Sequence, residues 1–324
     1  MLRIALDAMG GDLGPRAAVE GAIEAIRRAP GPMSVTLTGD ETVLKGLITE
    51  LGGSDLPLQV VHTTQLVEMS DTPTVALKTK TDSSLAVCVG LQKKGLVDAS
   101  VSPGNTGAMM ATSLMGLGRA GKVARPTVAT LLPTASNQVV MVDSGANVDE
   151  KPFQLVQFAV CGSIYAQRVL GVEKPKVALL NMGEEEHKGT EVVAETYKLL
   201  QASGLNFVGN VEGHDILRGG FDVLVTPGFT GNIVLKLMEG FGEFLHHTFR
   251  KAVSGPSFDA LFESLNYENR AGGLLLGLDG TSVIMHGRSS ARAYVSGLHI
   301  AYRMAEAKVH RLIAEEIERM EPAA

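Results

Sequence analysis

The sequence of 324 residues carries a formal net charge of −6, 37 glycines, no tryptophan and 5% aromatic residues. A chain this long buries a sizeable core, as one large α/β domain or two smaller ones. Its acidic balance argues against a general nucleic-acid surface, and no run of about 18 apolar residues is available to span a membrane. MLRIALDAMGGD has too short an apolar run and too early an acid for a signal peptide. Cys88 and Cys161 lie in apolar helical contexts without metal or redox spacing, and read as buried thiols of a reducing cytosol.

In chain order, residues 2–7 read as a first strand, 9–12 as a turn, and Pro15 opens a helix through Arg28. Val35–Thr38 is a second strand, Thr42–Leu51 a helix and Leu58–His62 a third strand. Residues 69–73 and 76–80 read as a polar loop, and Ser83–Lys94 as a helix. Ala99 and Val101 end a buried strand, Pro103-Gly104-Asn105 turns the chain, and a helix starts at Thr106. The second half repeats the scheme. Strands are read at Gln138–Asp143, Lys176–Asn181 and Asp222–Thr226, with glycine-containing turns after each. Helices are read at Pro152–Leu170, Thr190–Ala202 and from Ile233. One long last helix, Ser290–Met320, puts Val309, Leu312, Ile313, Ile317 and Met320 on one stripe.

Strands alternating with helices predict a mostly parallel sheet with right-handed crossovers. Ligands then bind beyond the strand C-termini, where these turns lie and are expected to converge. The stretch 99–112 is the model for all of them. A helix start offers unpaired N–H groups and the positive end of its dipole, and Gly104 and Gly107 let an oxyanion approach the backbone. Two look-alike motifs fail on context. Gly116–Gly121 spells G-x-G-x-x-G, and Gly116–Lys122 resembles a P-loop, but a helix precedes both and Arg125-Pro126 follows. The eight histidines show no ligand spacing, and no G-x-S-x-G elbow is present.

The polar groups in the turns are Asn105, Thr106, Asp143, Ser144, Asn147, Lys188, Thr230, Gly231 and Asn232, with His286, Arg288, Ser289 and Ser290 before the last helix. Amides, hydroxyls and a cation or two suit a phosphate or carboxylate better than a metal or redox group. Lys188 follows three acids, Glu184–Glu186, and reads either as a solvated ion pair or as the cation for a bound anion. His286 reads as a turn histidine or a ligand contact, and Lys78 and Lys80 as a solvated face. Phe241, Phe244, Phe249, Phe258 and Phe262, with His246, His247, Arg250 and Lys251, suit two short helices split by Gly255-Pro256. Such a pair could meet a membrane surface, an acidic partner, the interior or a second subunit.

Eight segments together resemble the PlsX family of bacterial phosphate acyltransferases. They are ALDAMGGD (5–12), SPGNTGA (102–108), RPTVATLLPT (125–134), DSGANVDEKP (143–152), GEEEHKGTE (183–191), GNVEG (209–213), GFTGN (228–232) and HGRSS (286–290). The resemblance implies transfer of an acyl group from long-chain acyl–acyl carrier protein to orthophosphate, for phospholipid synthesis. It also implies an αβα sandwich like isocitrate and isopropylmalate dehydrogenases, in one domain over 1–324 with a protruding helical insertion at 241–278. A homodimer is implied, cytoplasmic but peripherally membrane-associated, needing no metal or cofactor and feeding a membrane glycerol-3-phosphate acyltransferase.

On this reading Asn105, Thr106 and Gly107 cradle the phosphate, helped by Gly231, Asn232, His286 and Ser289. Lys188 neutralises phosphate or the tetrahedral oxyanion, and Asp143 and Asn147 orient Lys188 and the loops. Pro227 stands where the family has aspartate, and Pro103 where it has alanine. The alternatives are a phosphate acetyltransferase-like enzyme using a coenzyme A thioester, a dehydrogenase of the same fold and a non-enzymatic lipid-synthesis scaffold.

Overall fold

The computed structural model describes residues 1–250 and 272–320. By its internal contacts the chain forms two compact units, Met1–Gly121 with Arg270–Arg311, and Lys122–Asn269 with Leu312–Ala324.

The first unit begins with β1 (Leu2–Asp7), α1 (Gly14–Arg27), β2 (Met33–Gly39), α2 (Glu41–Glu50) and β3 (Leu58–His62). It continues with α3 (Pro73–Thr79), α4 (Ser84–Lys93), β4 (Ala99–Ser102) and α5 (Thr106–Leu117). The second unit holds β5 (Thr127–Pro133), β6 (Gln138–Val142), α6 (Pro152–Val169), β7 (Val177–Leu180), α7 (Glu191–Ala202), β8 (Phe207–Val211), β9 (Val223–Val225) and α8 (Gly228–Arg250). The chain then returns to the first unit for β10 (Gly273–Leu276), β11 (Thr281–Ile284) and α9 (Ala291–Glu306), and ends in α10 (Val309–Arg319).

In the first unit the strand order is β3-β2-β1-β4-β11-β10, parallel except for the β10–β11 hairpin. In the second it is β5-β6-β9-β7-β8, parallel except for β5 against β6. The mostly parallel sheet was legible from the alternation of elements. Ile4, Ala5, Leu6 and Asp7 are all buried, as a central parallel strand requires. Ala5 packs with Cys88 and Val97 on the α4 side; Ile4 and Leu6 therefore point to the opposite face. The second unit closes on Leu132, Val139, Met141, Ala178, Ile216, Phe221 and Leu224, with Val234 and Leu235 of α8 packed against them.

Several expectations change. Residues 73–79 are helical rather than loop: Pro73 pre-sets the first turn, and Lys80 pairs with Asp71 just beyond its end. β5, β8, β10 and β11 are strands that the hydrophobic pattern did not announce, being short or interrupted by Gly and Thr. Gly228–Asn232 is the opening of α8, not a turn before it. The long last helix is two, because Lys308 takes a positive φ of 51° between α9 and α10. Val309, Ile313 and Ile317 of the expected stripe are buried. Phe258, Phe262 and Gly255-Pro256, and with them the expected second helix, lie outside the described residues.

Candidate functional site

Three turns of the first unit, after β1, β4 and β11, are tied together. Asp7, at the end of β1, is buried. Its Oδ1 accepts the N–H groups of Met9 (3.2 Å) and Gly10 (3.1 Å), and its Oδ2 accepts the Ser102 hydroxyl (2.8 Å) at the end of β4. Ser102 Oγ accepts in turn from Gly104 N–H at 3.1 Å. A Cβ at Gly10 would stand 2.7 Å from Asp7 Oδ2 and 3.2 Å from Gly104 Cα, so only glycine fits there. Asp12 N–H donates to Gly287 O at 2.7 Å, which brings in the turn after β11. Burial pushes the Asp7 carboxyl above the usual carboxylate range, against the hydrogen bonds from Ser102, Met9 and Gly10.

Asn105 caps α5: its Oδ1 accepts Ala108 N–H at 3.0 Å. Its Nδ2 donates to Met69 O (3.0 Å) and Asp71 O (3.1 Å). The side chain is thus committed to holding the 69–71 loop on the helix start. What α5 offers an anion are the N–H groups of exposed Thr106 and Gly107. Ser289 is buried, with its N–H on His286 O at 3.0 Å, while His286 is exposed.

The second unit has a matching knot. Asp143 is wholly buried. Its Oδ1 accepts from Val128 N–H (3.0 Å) and Ala146 N–H (3.2 Å), and its Oδ2 from Asn147 N–H (2.8 Å) and Asn147 Nδ2 (2.9 Å). Asn147 Nδ2 also reaches Pro126 O at 3.0 Å. The opening of α8 closes over this carboxylate. A Cβ at Gly231 would fall 1.9 Å from Asp143 O, and Gly228 N–H donates to Glu150 Oε1 at 2.6 Å. Asn232 Nδ2 reaches Ser144 O at 3.4 Å. Gly231 N–H is spent on Pro227 O at 2.8 Å, inside the helix.

Lys188 sits in the turn after β7. Its carbonyl accepts Asn181 Nδ2 at 3.0 Å, and Asn210 Nδ2 donates to Glu185 O at 3.0 Å. The backbone is anchored while the side chain stays 44% exposed, with Nζ 3.9 Å from Glu185 Oε1. Asp143 and Asn147 spend their described hydrogen bonds on residues 126–128 and 146–147, none of them on Lys188.

The structure therefore gathers Asp143, Asn147, Gly231 and Asn232 in one knot and sets Lys188 on a separate anchored turn. Asp7 and Glu150 were not singled out by sequence reasoning. Pro227 signals only that a helix starting behind it has no acceptor of its own; nothing in the sequence points from there to Glu150. Gly116–Gly121 runs from the last turn of α5 into the loop after it, not from strand to helix.

A family model described as "Fatty acid synthesis protein" matches residues 2–312. The chain belongs to this family. It is the PlsX family that the eight segments resemble. A relative named phosphate acyltransferase from Dictyoglomus turgidum is 40% identical over 98% of both chains. Another from Desulforamulus reducens is 41% identical, also over 98% of both. Among solved structures, a phosphotransacetylase from Streptococcus pyogenes aligns over 94% of both chains with a TM-score of 0.68 at 16% identity. A branched-chain phosphotransacylase from Enterococcus faecalis aligns over 94% of this chain and 99% of its own, with a TM-score of 0.59 at 16% identity. At those identities the structures speak for the fold of this PlsX-family chain.

Proposed function

We propose that this protein catalyses attack of orthophosphate on the thioester of a long-chain acyl–acyl carrier protein, forming acyl phosphate and free carrier. The observation that carries this is the identity of about 40% along essentially the full length of relatives named phosphate acyltransferase. The chemistry asks for little beyond position and charge control. A phosphate oxygen forms a bond to the carbonyl carbon, the C–S bond breaks, and a thiolate whose conjugate acid has a pKa near ~8.5 leaves with the electron pair. No nucleophilic side chain is needed. Buried thiols such as Cys88, pushed far above the ordinary thiol range by burial, are unsuited to being one.

The site roles follow residue by residue. The N–H groups of Thr106 and Gly107, at the α5 start that Asn105 holds, take phosphate oxygens. His286 and Ser289 of the same unit assist; in the second unit Asn232 offers its amide to an anion, and Gly231 holds the α8 start in shape. Lys188, the exposed cation on an anchored loop, offsets the developing negative charge. Asp143 and Asn147 act as positioning residues through the backbone they bind. Acyl phosphate formed from palmitoyl–carrier protein and phosphate tests the reading, with palmitoyl-coenzyme A as the second arm. Product from coenzyme A alone would favour the acetyltransferase-like alternative, and product from neither would overturn the assignment.

Peripheral contact with a membrane belongs to the same proposal. No described helix is long and apolar enough to cross a membrane. Phe229, Ile233, Leu237, Phe241 and Phe244 are nevertheless exposed at near four-residue spacing along α8, which supports an interfacial helix. A homodimer and a glycerol-3-phosphate acyltransferase downstream complete the reading as the family suggests them.

A further inference from the structure

Five described helices begin on a residue whose own side chain accepts one of their first N–H groups. These are Asp40 for α2, Ser83 for α4, Asn105 for α5, Thr190 for α7 and Ser290 for α9. α8 cannot do this. Pro227 occupies its cap position, since the Pro227 carbonyl takes Gly231 N–H at 2.8 Å, and a proline ring has no acceptor. The acceptor comes instead from Glu150, 78 residues earlier, whose Oε1 lies 2.6 Å from Gly228 N. Glu150 is only 7% exposed, unusual for a glutamate with no cation paired to it among the described residues. A Cβ at Gly228 would stand 2.6 Å from Asp143 Oδ2 and 2.9 Å from Glu150 Oε1, so both carboxylates border one point.

We infer that Glu150 supplies, from the loop after β6, the carboxylate that residue 227 lacks. It is a positioning residue that fixes the Gly228–Asn232 opening of α8 over Asp143. An aspartate at 227 would occupy the most favoured type of cap position and accept from α8's own second or third N–H. It would hold the α8 start from within the helix, in place of the hold that Glu150 gives through Gly228 N–H. With Glu150 retained it would be a third carboxylate at a crowded point, and like charges there disfavour one another. The two positions are therefore exchangeable as a pair and not singly. Only the kinetic consequence rests on the proposed function, through Asn232 in this opening.

The test is a double-mutant cycle of E150A, P227D and both together, read by thermal unfolding and by kcat and KM for phosphate. E150A leaves Gly228 N–H unpartnered, and Tm should fall by ~3 °C or more. At a temperature where the variant is folded, kcat/KM for phosphate should fall about tenfold, with KM carrying most of the change. P227D alone should lower Tm as well. The double variant should regain part of the Tm and of the kcat/KM that E150A loses, because the introduced aspartate caps the α8 start while Gly228 N–H stays unpartnered. General loss of packing would give no such recovery. A double variant no better than E150A, or an E150A indistinguishable from the parent, overturns the inference. If E150A does not fold, E150Q keeps an acceptor oxygen without the charge. Adding P227D to it should then raise Tm, and a further fall overturns the inference. A parent that makes no acyl phosphate would overturn the proposed function while the unfolding cycle still decides the exchange.

Discussion

Asp7 is a carboxylate taken out of water and given three hydrogen-bond donors in return. Its folded-state pKa lies above the unfolded value, with burial the largest cause. The folded protein therefore binds a proton at a pH where the unfolded chain does not, and acidification from neutral stabilises it at this site until the unfolded carboxyl also titrates near ~3.9. Asp7→Asn removes that linkage. The Tm of the parent minus that of Asp7→Asn should rise as pH is lowered from 7 toward about 4.5, and a flat difference would show that Asp7 keeps an ordinary pKa. Lys188 is the opposite case, a cation left in water on a fixed backbone. Its surface pair with Glu185 is worth about 0–1 kcal/mol, so Lys188→Ala should leave Tm nearly unchanged. Turnover should fall at least about 100-fold if the ammonium meets developing charge. Near-parental acyl-phosphate formation would remove it from the mechanism. Lys188 was legible in the sequence because charge and turn coincide there. Glu150 was not, because its partner is 78 residues away and is a backbone N–H.

At the scale of elements, Asn105 does two jobs with one side chain, capping α5 and fastening the 69–71 loop. Asn105→Ala should cost about 1–2 kcal/mol, the upper end of a cap loss, and speed proteolysis near residues 69–71. Unchanged cleavage there would show that the loop is held by the Asp71–Lys80 pair instead. Lys308 carries a left-handed backbone between α9 and α10. Lys308→Gly should raise stability by about 0.5–1 kcal/mol in denaturant unfolding, because glycine adopts that conformation freely. The exposed stripe of α8 predicts that Phe241→Ser with Phe244→Ser weakens flotation with anionic liposomes while sparing turnover on carrier-bound substrate. Elements with a capping residue and a regular period were readable to within a residue or two: α2 behind Asp40, α7 behind Thr190, β3 in full. α3 and the β10–β11 hairpin were not. A seven-residue helix carries barely two turns of pattern, and four-residue strands studded with Gly, Thr and Ser carry no clear alternation.

For the molecule as a whole, the alternation of strand, glycine turn and helix disclosed a parallel sheet and placed the polar turns beyond strand C-termini, because connection handedness leaves few other options. What it did not disclose is how the chain divides. The first unit takes residues from both ends of the sequence, since β11 inserts between β4 and β10, and α9 packs on α1. This arrangement has a consequence for birth on the ribosome. When Gly121 emerges, β4 still lacks the neighbour that will cover its open side, and that neighbour is encoded only at Thr281–Ile284. At about 5–20 residues per second the wait is on the order of ten seconds or more. Throughout it, a strand rich in buried small residues stands as an unguarded edge, open to pairing with another nascent chain. Nascent chains stalled with Gly121 already outside the ribosome should therefore bind holdase chaperones more tightly than the released full-length chain.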